Sequence, residues 1–242
     1  IVDSLVGSEM CIRDRSQTIH SFCVNELGSF YLDIIKDRQY TCKKDSQERL
    51  SAQHTMYCIT KMLLLWIAPI CSHTAEEAWS YIPNNKDKSI FYNNWFSIDN
   101  SLIGKCNINN DNWDHVIEIK KVVSKALEEK RAENIIGSPL DADVIINCTS
   151  ELENILKIFG NELKFIFITS SVTLNKLNND KVSGIIGINA HKISVDIKNS
   201  INKKCERCWH KCATVGKDKK YSSICSRCVS NVYGDGEVRK NA

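Results

Sequence analysis

The sequence predicts a mainly α protein with an added α+β component: a helical bundle, a small α+β junction unit and a C-terminal zinc finger built on four cysteines. Three observations predict this. Apolar residues recur at steps of three and four through the N-terminal part of the chain, the period of a helix with one buried face. Further along, the pattern changes to short apolar runs and an alternating stretch, which is the period of strands. The tail then carries Cys205-Glu-Arg-Cys208 and Cys225-Ser-Arg-Cys228, two Cys-x-x-Cys pairs at the separation of a zinc site.

Residues 1–15 have no clear period, and they lack the basic start and apolar core of a signal peptide. They resemble the conceptual translation of a sequencing adapter. They are read as an artefact, with the biological reading frame expected to enter near Ser16 and to continue upstream in the natural protein. From there Ile19, Phe22, Cys23, Leu27, Phe30, Tyr31, Ile34 and Ile35 form one helical stripe that stops at Lys36-Asp-Arg38. Asp45 with Glu48 is the expected capping box of the next helix, which Leu50, Tyr57, Cys58, Met62 and Leu65 continue. Pro69 ends it, because proline cannot occupy a helix interior. Thr74 with Glu77 is a second capping box for a short helix closed by Pro83. Three helices with short connections predict an antiparallel bundle over residues 16–110.

An Asn-rich stretch from Asn100 to Asn112 separates this bundle from an α+β unit over residues 111–198. Val116, Ile119, Val123, Ala126 and Leu127 predict a helix from Trp113 to Ala132, broken by Gly137-Ser-Pro139. Val144-Ile-Ile146 predicts a strand, Leu152 to Phe159 a helix and Phe165 to Ile168 a buried strand. Ile193, Val195 and Ile197 alternate as a further strand. No internal repeat is visible.

The tail, residues 199–242, is read from its metal chemistry. Zinc takes four ligands at tetrahedral corners, and a shell closed by four thiolates is structural, with no position left for catalysis. His210 and Cys212 stand close enough to rival Cys208 as ligands. From Asn199 onward ten Lys and Arg face four acids, whereas the remainder has 22 basic and 25 acidic residues. Four thiolates on one zinc ion lower the tail's charge to about +4. A cationic module on a slightly acidic body points to a phosphate-rich partner, set against the plainer reading of a solvated charged surface.

Twelve cysteines, mostly scattered and without a secretory leader, fit a reducing, cytoplasmic setting. No apolar run reaches the ~18 residues of a membrane helix, so no membrane association is expected.

Certain stretches also carry a resemblance. Phe30-Tyr-Leu-Asp-Ile-Ile-Lys-Asp-Arg-Gln-Tyr40, Trp66-Ile-Ala-Pro-Ile70 and Thr74-Ala-Glu-Glu-Ala-Trp79 resemble the anticodon-binding helical domain of class I aminoacyl-tRNA synthetases. Lys204-Cys-Glu-Arg-Cys-Trp-His210, Ile224-Cys-Ser-Arg-Cys-Val-Ser-Asn231 and Gly234-Asp-Gly-Glu237 are similar to the C-terminal zinc module of the bacterial-type isoleucyl-tRNA synthetases. The resemblance runs from Ser16 to the end, and the zinc segment is its specific part. It implies Cys205, Cys208, Cys225 and Cys228 as the ligands of one structural Zn2+, with Cys212 outside the set. It implies tRNA(Ile) as partner, a monomer, and a parent enzyme that joins isoleucine to ATP and then to tRNA. The family's His-Ile-Gly-His and Lys-Met-Ser-Lys-Ser signatures are absent, as is its editing insert. ATP and Mg2+ therefore belong to a catalytic domain outside this chain, which holds no catalytic residue. A stand-alone zinc-ribbon nucleic-acid binder is the alternative.

Single-stranded RNA loops are read by stacking on aromatic or Arg planes and by hydrogen bonds to base edges, while Lys and Arg neutralise phosphates. Lys36, Arg38, Lys43 and Lys44 form a basic cluster at a helix end, as RNA contacts or as charges that complement the helix dipole. Arg207, Trp209 and Lys211 flank the zinc ligands. Trp209 either stacks on a base or roofs the small core beside the metal, and the second role is favoured. Arg239 and Lys240 are candidate phosphate contacts.

Overall fold

The helical period that begins at Ile19 yields continuous helical backbone in the computed structural model, which describes residues 2–83, 88–95, 108, 110–177, 186–188 and 191–240. Helix α1 spans Val2–Phe22, so its backbone begins inside the segment set aside above. It passes through a π-helical stretch, Cys23–Leu32, into α2, Asp33–Thr41. Gly28 suits this wider turn, since a Cβ there would meet the Cys23 carbonyl at 2.9 Å. Most of the Asn100–Asn112 stretch, including Cys106, lies outside the described residues.

Helix α3 spans Gln47–Ile67 and α4 spans Ser72–Ser80. The α3 cap is Ser46, whose hydroxyl accepts from the Arg49 N–H at 3.3 Å; Asp45, the expected cap, lies one residue too early. Pro69 falls in the turn, and Cys71 N–H donates back to Ile67 C=O at 2.7 Å. Helix α4 starts before Thr74, and Cys71, its cap residue, makes no side-chain capping bond. Leu64, Ala68, Ala75, Trp79 and Ile90 pack together as the buried cluster here. Glu76 ties the following turn to α4, accepting from Ser89 Oγ at 3.1 Å and Ile90 N–H at 2.9 Å.

Helix α5 spans Asn110–Ala132. Strand β1 (Ala142–Cys148), helix α6 (Ser150–Phe159), helix α7 (Leu163–Phe167) and strand β2 (Ser171–Lys176) follow. Then come β3 (Ile186–Ile188) and β4 (His191–Asn199). The sheet order is β2-β1-β4-β3. β1 and β2 are parallel, joined through the two helices, while β4 runs antiparallel to both of its neighbours. β1 alternates between buried and half-buried residues, with Ala142, Val144, Ile146 and Cys148 inside. Helix α5 brings Val116, Ile119, Val123 and Leu127 to the core, and Trp113 meets the Phe159 ring edge-on at 5.0 Å.

One strand expectation changes, and one strand went unread. Phe165 to Ile168 is not a strand: it is mostly helix α7, ended by Ile168 in the left-handed region (φ 57°). A four-residue apolar run has the same appearance in a buried strand and a buried helix. The run Ser171–Lys176, too polar to attract attention, is an edge strand.

Backbone contacts divide the chain into two compact units, Ile1–Ile35 with Leu50–Lys105, and Lys36–Arg49 with Cys106–Ala242. The α2–α3 corner thus groups with the α+β unit and the tail, where the sequence placed it in the helical bundle. No described helix is long and apolar enough to cross a membrane.

Candidate metal centre

Each Cys-x-x-Cys pair is presented by a different local structure. The first closes a tight hairpin: Cys205 N–H donates to His210 C=O at 2.9 Å, and Cys212 N–H to Lys203 C=O at 3.1 Å. Trp209 turns the corner in the left-handed region (φ 64°) and donates its N–H to Cys205 C=O at 2.9 Å. In the second pair, Cys225 is the cap residue of helix α8, Ser226–Tyr233, and Cys228 lies in its first turn. Helix N-termini favour thiolates because their N–H groups and dipole face the sulfur.

All four cysteines are buried, and their sulfurs lie within 4.8 Å of one another. Cys205 and Cys228 Sγ are 3.7 Å apart, as are Cys208 and Cys225 Sγ. A zinc ion with Zn–S bonds of about 2.3 Å gives tetrahedral S–S edges of about 3.8 Å. The donor set fits a structural zinc site closed by four thiolates. Its electrostatics call for a cation: hydrogen bonding to the Cys208 thiol draws Cys225 down to about 6, while its bonds to Cys208 and Cys225 push Cys228 up. Sulfurs so close cannot all ionise unless a positive ion shares their charge.

The rival ligands stand aside. His210 is buried with Nδ1 3.0 Å from Cys208 C=O and its ring edge-on to Phe165 at 5.7 Å. Cys212 packs against the sulfur cage from outside and accepts from Thr214 Oγ1 at 3.6 Å. The other described cysteines are free thiols. Cys42 and Cys148 are buried, and burial pushes each thiol up to about 11.

The tail's arginines turn inward. Arg227 forks onto Asp37, Nη1 to Oδ2 at 2.7 Å and Nη2 to Oδ1 at 3.0 Å, and reaches Glu237 at 3.2 Å. Arg239 bonds Asp37 and also Glu237, at 2.8 Å, with its side chain 1% exposed. Its guanidinium lies 3.7 Å from the centre of the Phe165 ring, a cation–π contact. Arg207 donates to the carbonyls of Thr41 at 2.7 Å and Tyr40 at 3.2 Å, closing the C-terminal end of α2, and reaches Cys228 Sγ at 3.7 Å. Burial opposes ionisation of Asp37, but the Arg227 and Arg239 guanidiniums hold its carboxyl well below the usual carboxylate range. Glu237 is lowered in the same way, burial opposing and Arg239 and Arg227 prevailing. Gly236 completes the corner at φ 92°, where a Cβ would also press on the Lys43 side chain at 3.3 Å.

These contacts redistribute the nine sequence-predicted nucleic-acid residues. Arg239 is a correction, its side chain buried and committed within the protein; Arg207 is half-buried and bonded to a helix end. Lys211 donates to Asn199 Oδ1 at 2.7 Å and Ser200 C=O at 3.3 Å, and Lys43 to Gly234 C=O at 3.0 Å. Arg38 is half-buried. Lys36, Lys44 and Lys240 are exposed. Trp209 is 61% exposed, so it does not form a buried roof over the metal cluster, against which Cys212, Val215 and Ile224 pack. The exposed tail lysines Lys203, Lys217, Lys219 and Lys220 did not stand out individually in the sequence, where only their summed charge registered. Asp37, Glu237 and Phe165 were missed as well, since no local pattern marks a residue whose partners lie up to 202 positions away.

Residues 8–146 match the family model described as the anticodon-binding domain of tRNA ligase, and residues 202–231 match the zinc finger found in FPG and IleRS. Among curated proteins, the isoleucine–tRNA ligase of Blochmanniella pennsylvanica is 42% identical over 225 residues, 93% of this chain and 24% of the relative. That of Azotobacter vinelandii is 40% identical over 226 residues, again 93% and 24%. That of Francisella philomiragia is 42% identical over 232 residues, 94% and 24%. The chain thus spans about a quarter of the length of these relatives. With more than half its residues matched by the first family model, the chain belongs to the anticodon-binding domain family of tRNA ligases.

Proposed function

We propose that the chain is the tRNA-binding C-terminal region of an isoleucine–tRNA ligase. The observation that carries the reading is the joint occurrence, in one chain, of an anticodon-binding domain and the zinc finger of the isoleucine enzymes, the latter with four sulfurs at zinc geometry. The intact enzyme would activate isoleucine with ATP and Mg2+ and transfer it to tRNA(Ile). Those steps belong to parts of the relatives that this chain does not cover. The chain's own task is to hold RNA, as a monomer in the cytoplasm.

The exposed cations Lys36, Lys44 and Lys240 are the phosphate contacts of this reading, with Trp209 as a stacking plane. The bound zinc supplies a rigid cross-link between two turns; Arg207, Trp209 and Lys211 take their positions from those turns. Binding of a tRNA(Ile) transcript to the purified chain, measured from low to physiological salt, tests the proposal. Affinity should fall steeply as salt rises, and tRNA(Ile) should be preferred to a non-cognate tRNA. Binding that ignores salt, or no binding of tRNA(Ile), overturns it. The same preparation should show no ATP–pyrophosphate exchange.

A further inference from the structure

We propose that Asp37 is a positioning residue through which the zinc module fixes the conformation of residues 36–49. The sequence stretches that carried the family resemblance lie far apart in the chain: Lys36-Asp-Arg-Gln-Tyr40, Cys205-Glu-Arg-Cys208, Cys225-Ser-Arg-Cys228 and Gly234-Asp-Gly-Glu237. In the folded unit they meet at one point. Asp37 takes the fork of Arg227, a residue held between two zinc ligands, and a second bond from Arg239. Arg207, held between the other two ligands, donates to the last carbonyls of α2, acceptors that a helix leaves without internal partners. One guanidinium therefore touches both a zinc-binding sulfur and a helix end.

Lesser bonds follow the same path. Lys43 Nζ donates to Gly234 C=O, Cys42 Sγ reaches Glu237 Oε1 at 3.5 Å, and Arg239 N–H donates to Glu48 at 3.2 Å. The 36–49 segment buries only Thr41 and Cys42, so it has little apolar surface with which to hold itself. Its order comes from ionic and hydrogen bonds to a module whose own order comes from a metal. Two positively charged arms close on one largely buried carboxylate, and its loss would leave both guanidiniums sharing the single carboxylate of Glu237. The zinc is then a remote support for Lys36 and Lys44. Their part in RNA binding rests on the function proposed above, whereas the coupling itself does not.

Hydrogen exchange read by mass spectrometry on the full zinc-loaded chain tests the coupling without RNA, so its failure and the failure of the RNA reading are distinguishable. In Asp37→Asn, peptides from 36–49 should exchange on the order of a hundredfold faster, while α5 peptides keep their protection. Chelation of the wild-type chain with phenanthroline should give the same acceleration. Chelation of Asp37→Asn should then add less than chelation adds to the wild type, because the two changes share one linkage while Arg207 and Lys43 hold others. Weakened zinc retention in Asp37→Asn also supports the coupling, since linkage is reciprocal. Protection of 36–49 that ignores chelation, or effects of variant and chelator that multiply, overturns it. Should Asp37→Asn fail to fold, the wild-type chelation arm together with Glu237→Gln decides by the same criterion.

Discussion

The α+β unit and the zinc module lie next to each other in sequence but are held together by opposite means. The α+β unit has a conventional core. Val116, Ile119, Val144, Ile146, Leu152, Leu156, Ile166 and Ile193 are all fully buried, and their burial removes enough apolar surface from water to hold the sheet and helices together. The zinc module has no such core. Its buried cluster is four cysteines, with Cys212, Val215 and Ile224 packed around them. What it lacks in apolar area it makes up with a metal and with arginines drawn inside. The difference teaches that a high count of positive residues in a small domain need not face outward: here Arg207, Arg227 and Arg239 serve as internal braces, and lysines make the surface. The planar guanidinium fork suits that division, because it can satisfy two acceptors at once and still stack on a ring.

Removing the metal gives the largest expected effect. Structural zinc contributes about 10–16 kcal/mol in small modules, more than the few apolar contacts here could replace. Chelation, or Cys225→Ser, should collapse amide dispersion from residue 203 onward and at 36–49, while resonances of β1, β4 and α5 persist. If the sheet melted with the module, the two regions would not be separately supported. The reverse experiment is Ile146→Ala or Leu156→Ala, each expected to cost about 2–5 kcal/mol in urea unfolding of the α+β unit. These variants should still bind one zinc when folded; zinc loss at equal urea would break the comparison from the other side.

A smaller effect concerns acid. Asp37 is held below its ordinary value of 3.8, so its folded form is favoured as the carboxylate. The stability it contributes is complete above the unfolded value and is lost as pH falls below about 4 toward the folded value. Thiolates also take up protons in acid, so the wild type alone would not isolate the carboxylate. Asp37→Asn does isolate it. Its unfolding free energy should lie below that of the wild type at neutral pH, and the gap should narrow below about pH 4. A gap that stays constant with pH would mean the asparagine cost is steric and not electrostatic.

Much of the architecture was legible because it depends on local period. The helical stripe from Ile19, the stop at Pro69, the helix from Trp113 and the strand at Val144 each follow from residues within a few positions of one another. The zinc ligands were legible for the same reason, with two residues between the cysteines of each pair; spacing alone left His210 and Cys212 as rivals, the family resemblance pointed to the four, and the folded chain gathers those four sulfurs. Asp37 was not legible. It stood inside a stretch read as a polar helix stop, and nothing local signals that arginines some 190 and 202 positions later close on it. Phe165 was misread because burial on all sides hides periodicity. Trp209 was placed in the core because hydrophobicity indicates a preference for burial, whereas it sits exposed at a left-handed corner of the metal turn.

The smallest effects separate that turn from its side chain. A left-handed non-glycine residue carries a backbone cost of roughly 1–2 kcal/mol, and the zinc cage holds Trp209 there all the same. Trp209→Gly removes that cost along with the indole, so zinc retention and thermal stability should change by less than about 1 kcal/mol. If the indole stacks on a base, the same variant should weaken RNA binding by about 1–3 kcal/mol without altering the salt slope. Lys44→Ala should behave in the complementary way, lowering the slope of log affinity against log salt by about one and leaving stability within about 0.5 kcal/mol. A Trp209→Gly chain that loses zinc would return the indole to a structural role. A Lys44→Ala chain with an unchanged slope would remove the α2–α3 corner from the RNA-facing surface, leaving the exposed tail lysines as its cationic part.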